Sequence, residues 1–161
     1  MTPGHARART VLQLARDAGV MLATAESCTG GLVAAALTEI AGSSAVVDRG
    51  FVTYSNEAKT ELLGVPARLI DAHGAVSEQV AGATAEGALA HSRAQLAVSI
   101  TGVAGPGGGT ADKPVGLVWF ALAGAGRPTI AVKRSFGAVG RAKVRQMSVS
   151  TALSLFERAL S

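Results

Sequence analysis

The most constraining feature of this sequence is a short strand that passes into a helix through a turn of small and hydroxylic residues. Residues 20–23 form an apolar run with the length of a buried strand, and residues 31–40 have the composition of a helix. Ser27, Cys28 and Thr29 lie between them, where the first N–H groups of the helix lack partners and negative charge is stabilised. This arrangement predicts either a nucleophilic hydroxyl beside an anion site or a plain hydroxyl cap from Ser27 or Thr29.

Composition favours one compact α/β domain over residues 1–161. Hydrophobic residues make up 48% of the 161 residues, aromatic residues only 4%, and 20 residues are glycine, which fits a core of small aliphatic side chains. No apolar run reaches the roughly 18 residues of a membrane span, and no signal-peptide h-region follows the basic N-terminus. A single cysteine, Cys28, excludes an intrachain disulfide and a multi-cysteine metal site. We therefore expect a protein of the reducing cytoplasm.

The charge distribution argues for a small-molecule substrate. The net charge is +4, and the segment 127–161 contains seven basic residues (Arg127, Lys133, Arg134, Arg141, Lys143, Arg145 and Arg158) against one acid, Glu157. A basic tail of this kind can indicate nucleic-acid binding. Interleaved aromatic residues and a nucleic-acid motif are absent from this segment. We therefore expect neither a nucleic-acid nor a membrane partner.

Periodicity and turn signals predict strands and helices that alternate early and end in a hairpin and a helix. The predicted strands are 21–25, 46–54, 96–101, 115–123 and 129–136, and the predicted helices are 5–18, 31–40, 57–63, 67–72, 78–91 and 140–160. This order predicts an α/β fold, a three-layer α/β/α sandwich with a mixed, mostly parallel sheet. Ligands of such sheets bind beyond the carboxyl ends of the strands, so we expect the site in loops 26–31, 54–59 and 101–113.

Ser27 needs a base if it is a nucleophile, and Lys59 is the candidate. Of the three histidines, only His73 lies in a plausible loop. A lysine whose pKa is lowered by burial and by a helix N-terminus can act as a base instead. The alternative is a solvated Lys59 that pairs with a nearby glutamate. Tyr54, at the end of a strand, either orients the Ser–Lys pair or is a tyrosine on the rim of the sheet.

A glycine-rich loop after a strand is the second candidate element. It reads Thr101-Gly-Val-Ala-Gly-Pro-Gly-Gly-Gly-Thr110, and its successive N–H groups can form a concave anion site. It is neither a P-loop nor a dinucleotide fingerprint, and a plain flexible connection is the alternative. Arg141 is the best candidate for a phosphate fork, with Lys143 and Arg145 assigned to the surface. Glu26, Asp48 and Glu86 are scattered without ligand spacing, so we expect no metal and no cofactor.

Four ordered motifs resemble the CinA C-terminal domain family over almost the whole chain. They are Thr24-Ala-Glu-Ser-Cys-Thr-Gly-Gly-Leu32, Asp48-Arg-Gly-Phe-Val-Thr-Tyr-Ser-Asn-Glu-Ala-Lys59, His73-Gly-Ala-Val-Ser77 and the glycine-rich loop, and Lys113-Pro-Val-Gly-Leu-Val-Trp119 continues the match. The resemblance implies a nicotinamide-nucleotide amidohydrolase that converts nicotinamide mononucleotide and water to nicotinate mononucleotide and ammonia. It also implies a homo-oligomer and a stand-alone form without the molybdopterin-binding-like domain of longer relatives.

The resemblance also assigns roles to residues. It makes Ser27 the nucleophile and Lys59 the base, and it matches the tyrosine, threonine and arginine of the family to Tyr54, Thr101 and Arg141. With these we expect a substrate-binding set of Cys28, Thr29, Gly30, Gly31, Thr101, Gly102, Ala104, Gly105 and Arg141. The last family motif usually reads Phe-x-Gly-Asp-Arg, whereas this chain has Phe136-Gly-Ala-Val-Gly-Arg141 and lacks the acid before the arginine. A nucleotide-binding regulatory module without catalysis, or an amidase for another carboxamide, remains the alternative.

Overall fold

The structure, a computed structural model, describes residues 4–161, so residues 1–3 of the predicted domain lie outside it. Its five-stranded sheet has the order β2-β1-β3-β4-β5. The strands are β1 (Leu22–Glu26), β2 (Val47–Val52), β3 (Leu96–Gly102), β4 (Leu117–Gly124) and β5 (Arg127–Ser135). The helices are α1 (His5–Ala18), α2 (Leu32–Thr38), α3 (Asn56–Leu63), α4 (Ala67–His73), α5 (Glu78–Ala90) and α6 (Arg141–Leu160), and a 3₁₀ turn spans Ser43–Ala45.

The sheet is mixed, as predicted. β1 pairs in parallel with β2 and β3, whereas β3–β4 and β4–β5 are antiparallel. Four of the five strands therefore run in the same direction, and only β4 is reversed. β1 and β3 are buried on both faces, and the polar residues within them, Thr24, Glu26, Ser99 and Thr101, are buried as well. Pro128 is tolerated in β5 because this strand lies at the edge of the sheet and pairs only with β4.

The helices form one layer on each face of the sheet, which confirms the three-layer α/β/α sandwich. One core contains side chains of α1, α2 and α6 packed against β3 and β4, including Leu37, Phe120 and Phe156. The opposite core contains side chains of α3, α4 and α5 packed against β1 and β3. Alternate residues of β1 therefore point to opposite layers, so its neighbours Leu22 and Ala23 belong to different cores.

The element bounds differ from the predictions mainly at turns. The predicted strand 115–123 begins at Leu117, because residues 114–116 turn and the Leu117 N–H donates to the Pro114 carbonyl at 3.1 Å. The predicted five-residue hairpin connection shortens to Ala125 and Gly126, because β5 begins at Arg127 rather than at Thr129. Gly126 has a φ of 72°, a conformation that only glycine adopts without strain and that closes a two-residue turn.

One glycine allows the close contact between α5 and the end of α3. A Cβ atom on Gly87 would lie 2.2 Å from the carbonyl oxygen of Leu63, whereas one on Gly82 of the same helix would have its nearest neighbour, a Thr129 methyl group, at 3.9 Å.

We expect Gly87→Ala to lower the free energy of unfolding by about 1–3 kcal/mol, because the backbone of α3 must move. The matched control, Gly82→Ala, should be neutral or stabilising by up to about 1 kcal/mol. Denaturant unfolding of both variants measures the difference, and equal stabilities would contradict the packing described here.

Candidate active site

The carboxyl ends of β1, β2 and β3 meet at one edge of the sheet, and a cleft opens there. Glu26 lies opposite Val52, the last residue of β2, and opposite Ile100 of β3, which continues to Gly102. The cleft has a volume of about 330 Å³ and collects residues from all three predicted loops. Its lining includes Ser27, Cys28, Tyr54, Lys59, Thr101, Gly102, Ala104, Gly105 and Arg141. Three members of the predicted substrate-binding set, Thr29, Gly30 and Gly31, lie outside this lining.

The centre of the cleft is a serine and a buried lysine. The Lys59 amine lies 3.3 Å from the Ser27 hydroxyl oxygen and donates a hydrogen bond to the Thr53 carbonyl at 2.8 Å. Lys59 is only 1% exposed. Its position follows from α3, which Ser55 caps by accepting from the Ala58 N–H at 3.0 Å, so that Lys59 follows one turn later. The alternative of a solvated lysine paired with a glutamate is therefore wrong.

The environment of Lys59 favours the neutral amine. Burial is the larger effect and lowers its pKa from the ordinary value of 10.5, while the neighbouring Cys28 acts in the opposite direction. Among residues 4–161, no carboxylate forms an ion pair with this amine. A neutral amine that donates one N–H to the Thr53 carbonyl keeps a lone pair for another partner. The Ser27 hydroxyl is within reach of that lone pair.

Cys28 is the alternative nucleophile beside Ser27, and its environment disfavours the reactive form. The side chain is 7% exposed, and burial raises the pKa of its thiol to about 11. A thiol with this pKa is almost wholly protonated at neutral pH, whereas the thiolate is the reactive species. The chemistry of the cleft therefore points to Ser27.

Glu26, rather than Ser27 or Thr29, satisfies the N-terminus of α2, so both hydroxyl-cap interpretations are wrong. Its carboxylate is buried and accepts from the Val33 N–H at 2.9 Å and the Ala34 N–H at 3.0 Å. The Thr29 hydroxyl donates to the same carboxylate at 2.6 Å. Glu26 precedes the turn and reaches the N-terminus of α2 only because the turn folds back on itself. Its sequence spacing therefore did not indicate that it caps the helix. The Ser27 hydroxyl is left available to the cleft.

The turn between β1 and α2 is tied to both neighbouring strands, which fixes the position of Ser27. The Ser27 N–H donates to the Ile100 carbonyl at 3.0 Å, and the Thr53 N–H donates to the Glu26 carbonyl at 2.9 Å. The backbone N–H groups of Cys28 and Thr29 bond to no oxygen within residues 4–161. Cys28 lines the cleft, so its N–H is the candidate donor for a negatively charged oxygen beside Ser27, whereas Thr29 is fully buried and outside the lining.

Arg141 joins two of the loops at the mouth of the cleft. Its guanidinium donates to the Gly105 carbonyl at 2.8 Å and to the Tyr54 hydroxyl at 3.1 Å. In this chain, which lacks the acid before Arg141, the guanidinium is thus held by two neutral acceptors. Tyr54 is 61% exposed and bonds to Arg141 rather than to Ser27 or Lys59, so it sits on the rim. The catalytic role assigned to Tyr54 stays a prediction.

Thr101 and Gly102 shape the start of the glycine-rich loop. The buried Thr101 hydroxyl donates to the Ala75 carbonyl at 2.9 Å, which attaches β3 to the segment before α5. A Cβ atom on Gly102 would lie 2.9 Å from the Leu117 carbonyl oxygen, so the loop can leave the sheet this close to β4 only with glycine. Lys113 donates to the His73 carbonyl and holds the far end of the loop.

Arg145 was assigned to the surface from the sequence, and this assignment is wrong. Its guanidinium donates to the carbonyl oxygens of Cys28 at 3.1 Å and of Thr29 at 3.3 Å. Arg145 lies four residues after Arg141, a spacing that places both on one face of α6. This spacing was the feature of the sequence that could have indicated that Arg145, like Arg141, faces the cleft loops.

Residues 4–161 contain neither a candidate metal-binding cluster nor a candidate membrane-spanning helix. No group of three or more His, Cys, Asp or Glu side chains in this part of the chain is arranged to hold a metal ion. No helix within the same residues is both long and apolar enough to cross a bilayer.

A comparison with known protein families establishes the family to which the chain belongs. The profile of the CinA C-terminal domain matches residues 5–160. The chain belongs to the CinA C-terminal domain family. A relative from Enterobacter agglomerans named nicotinamide-nucleotide amidohydrolase PncC is 51% identical over 141 residues, which cover 86% of each chain. A CinA-like protein of Mycolicibacterium gilvum is 58% identical over 144 residues, which cover 89% of this chain and 34% of the relative.

Solved structures agree with this assignment. The crystal structure of competence/damage inducible protein CihA from Agrobacterium tumefaciens superposes with a TM-score of 0.96 at 51% identity and covers 99% of this CinA C-terminal domain and 98% of that chain. Many curated relatives are longer, and the chain spans only 28% to 35% of the length of CinA-like and competence-damage relatives that it matches.

Proposed function

We propose that this chain hydrolyses the carboxamide of nicotinamide mononucleotide to nicotinate mononucleotide and ammonia through an acyl-enzyme on Ser27. The observation that carries the proposal is the buried Lys59 amine, 3.3 Å from the Ser27 hydroxyl oxygen. The name of the relative from Enterobacter agglomerans, at 51% identity over 86% of both chains, supports the choice of substrate. The predicted cytoplasmic location and homo-oligomeric state stay predictions.

Acylation begins with proton transfer from Ser27 to Lys59. A serine hydroxyl is a weak nucleophile, and a base with a pKa lowered toward neutrality activates it. The neutral Lys59 amine takes the proton as the Ser27 oxygen attacks the carboxamide carbon. The Thr53 carbonyl accepts an N–H of the same amine at 2.8 Å. This bond orients the amine so that the lone pair of the Lys59 nitrogen faces Ser27. The product of this step is a tetrahedral intermediate with a negatively charged oxygen.

The backbone N–H of Cys28, which lines the cleft beside Ser27 and bonds to no protein oxygen, stabilises that oxygen. Removal of one such donor typically costs about 2.7–4 kcal/mol of transition-state stabilisation. The protonated Lys59 then gives its proton to the leaving nitrogen, the C–N bond breaks, and ammonia departs. Lys59, neutral again, takes a proton from water, and the water oxygen attacks the acyl carbon. Collapse of the second intermediate breaks the ester bond, and Lys59 returns the proton to the Ser27 oxygen.

The phosphate of the substrate lies against Arg141 and the glycine-rich loop in this proposal. Arg141 uses two N–H groups for Gly105 and Tyr54. A guanidinium has five N–H donors, so three remain for a phosphate. Gly105, Gly107 and Gly108 of the loop line the cleft, and their backbone N–H groups bond to no oxygen within residues 4–161.

We expect the loss of the phosphate to lower kcat/KM by about 100-fold, because binding energy at the phosphate positions the distant amide. Nicotinamide riboside, which lacks only the phosphate, is the matched substrate. Arg141→Ala should lower kcat/KM for the mononucleotide but change that for the riboside little, while Arg134→Ala on the exposed edge strand serves as the charge control. Equal losses on both substrates would contradict the assigned pose.

The proposed function itself is tested by ammonia release from the purified chain. We expect nicotinamide mononucleotide to give equimolar ammonia and nicotinate mononucleotide. A panel of other pyridine carboxamides, measured in the same assay, tests the ring specificity. Tight binding of the mononucleotide without ammonia release would contradict the proposal and favour a binding module. Faster turnover of another carboxamide would reassign the substrate.

A further inference from the structure

The mechanism uses the polar residues of the cleft and leaves its apolar side chains without a role. These residues are Ala75, Val76, Val103 and Ala104, here called the apolar wall. They come from two segments, the connection between α4 and α5 and the first residues after β3. The nucleophile and the base lie on other elements, so the apolar wall is a separate part of the same cleft.

The first segment of the apolar wall is held by hydrogen bonds on both sides of Val76. The Thr101 hydroxyl donates to the Ala75 carbonyl at 2.9 Å. The Ser77 hydroxyl donates to the Gly74 carbonyl at 2.8 Å and also caps α5. Because both carbonyls bind protein donors, this segment has a fixed shape, and the half-buried Val76 is carried on it.

The second segment presents the side chain of Val103, rather than its backbone, to the cleft. The Val103 N–H donates to the Leu117 carbonyl at 2.9 Å, and its carbonyl accepts from the Gly116 N–H at 2.7 Å. Both backbone groups are therefore occupied. A Cβ atom on Gly108 would lie 3.9 Å from a Val103 methyl group, so the glycine-rich loop passes this side chain without covering it.

The apolar wall begins close to the nucleophile. The Ser27 N–H donates to the Ile100 carbonyl at 3.0 Å. Val103 follows Ile100 by three residues, which span at most about 11 Å. A ring whose carboxamide lies at Ser27 is therefore within reach of the apolar wall. Contact between a flat ring and these methyl groups is favourable because it removes apolar surface from water.

The cleft offers no partner for a positive charge on the ring. Among residues 4–161, the charged types that line it are Lys59 and Arg141, both basic, and no Asp or Glu belongs to the lining. The ring nitrogen of nicotinamide mononucleotide carries a positive charge, which gains no ion pair from this lining. The flat faces of the ring are what the apolar wall can recognise.

We propose that the apolar wall is the subsite for the pyridine ring, and that it selects a flat carboxamide-bearing ring by shape and apolar contact rather than by ring charge. The inference rests on the proposed function for the choice of ligand. Val76 and Val103 determine the selection, since each alanine of the wall carries only one methyl group. The accepted class is then flat aromatic carboxamides joined to a ribose phosphate, with a charged or a neutral ring.

The first test replaces each valine of the wall with threonine in the Ser27→Ala chain, so that binding is measured without turnover. Threonine keeps nearly the shape of valine but replaces a methyl group with a hydroxyl, which weakens apolar contact. We expect Val76→Thr and Val103→Thr each to raise the Kd of nicotinamide mononucleotide by about 5-fold in calorimetric titration. Val139→Thr, at an exposed valine outside the cleft lining, should leave this Kd unchanged. Thermal unfolding checks that each variant is folded.

The second test removes the charge of the ring and leaves its shape. In benzamide mononucleotide, carbon replaces the ring nitrogen, while the carboxamide and the phosphate are the same. We expect the Ser27→Ala chain to bind the charged and the neutral ligand with Kd values within about 3-fold of each other. Val76→Thr should weaken both ligands by the same factor, because the contact that it removes is common to both rings.

The outcomes separate this inference from the proposed function. An unchanged Kd in both threonine variants would overturn the ring subsite, and a larger difference between the two ligands would overturn selection without regard to charge. Either result beside ammonia release by the wild type would leave the proposed function in place. A wild type that releases no ammonia would overturn the proposed function, whereas weaker binding in both threonine variants would still support the subsite.

Discussion

Ser27→Ala is expected to abolish turnover of nicotinamide mononucleotide while the protein stays folded and still binds the nucleotide. Only the attacking oxygen is removed, and the loss of a nucleophile of this kind lowers kcat by up to roughly 10⁶-fold, which places the rate below detection. The side chain makes no backbone bond that the fold needs, because Glu26 satisfies α2. Ammonia release measures turnover, and thermal unfolding with titration of the substrate checks the fold and the affinity.

Cys28→Ala is the matched control for this prediction. The two residues are adjacent and both line the cleft, but the thiol is protonated at neutral pH because burial raises its pKa to about 11. We expect this variant to keep most of its activity, and its small buried side chain to cost little stability. An inactive Cys28→Ala beside an active Ser27→Ala would transfer the nucleophile role to the cysteine.

Lys59→Arg should be nearly as inactive as Lys59→Ala. Arginine keeps the positive charge but stays protonated at any pH that the protein tolerates, so it cannot accept the Ser27 proton. Lys143→Arg on the exposed start of α6 is the control for the substitution itself. Substantial activity in Lys59→Arg would make Lys59 an electrostatic support and direct the search for the base to His73.

The pH profile of kcat/KM gives an independent check on Lys59. Burial lowers the pKa of this amine below 10.5, so the neutral, proton-accepting form is lost as the pH falls through the lowered value. Activity should therefore rise with pH along one limb whose midpoint lies clearly below 10.5. A limb at the ordinary lysine value would show that the amine is not desolvated in solution.

Much of this fold could be predicted because its local signals agree with the tertiary structure. The predicted helices 57–63 and 78–91 match α3 and α5 to within one residue at each end, and Ser55 and Ser77 cap these helices in the structure. The meeting of Ser27 and Lys59 was also predictable in outline, since parallel strand ends bring their loops to one edge.

The roles of Glu26 and Arg145 could not be predicted, because each depends on how a turn lies against a distant element. Glu26 bonds to N–H groups seven and eight residues later, and Arg145 bonds to carbonyls more than a hundred residues earlier. The four-residue spacing from Arg141 places Arg145 on the same face of α6, but sequence spacing determines neither contact. Both become visible only when β1, α2 and α6 are packed together.

Product partitioning in the presence of hydroxylamine tests the central claim most directly. Hydroxylamine competes with water for an acyl group held on Ser27 and would yield the hydroxamate of nicotinate mononucleotide. We predict that this hydroxamate forms during turnover in proportion to the hydroxylamine concentration. Steady release of ammonia with nicotinate mononucleotide as the sole product at every hydroxylamine concentration would contradict the account, because water would then attack the amide directly.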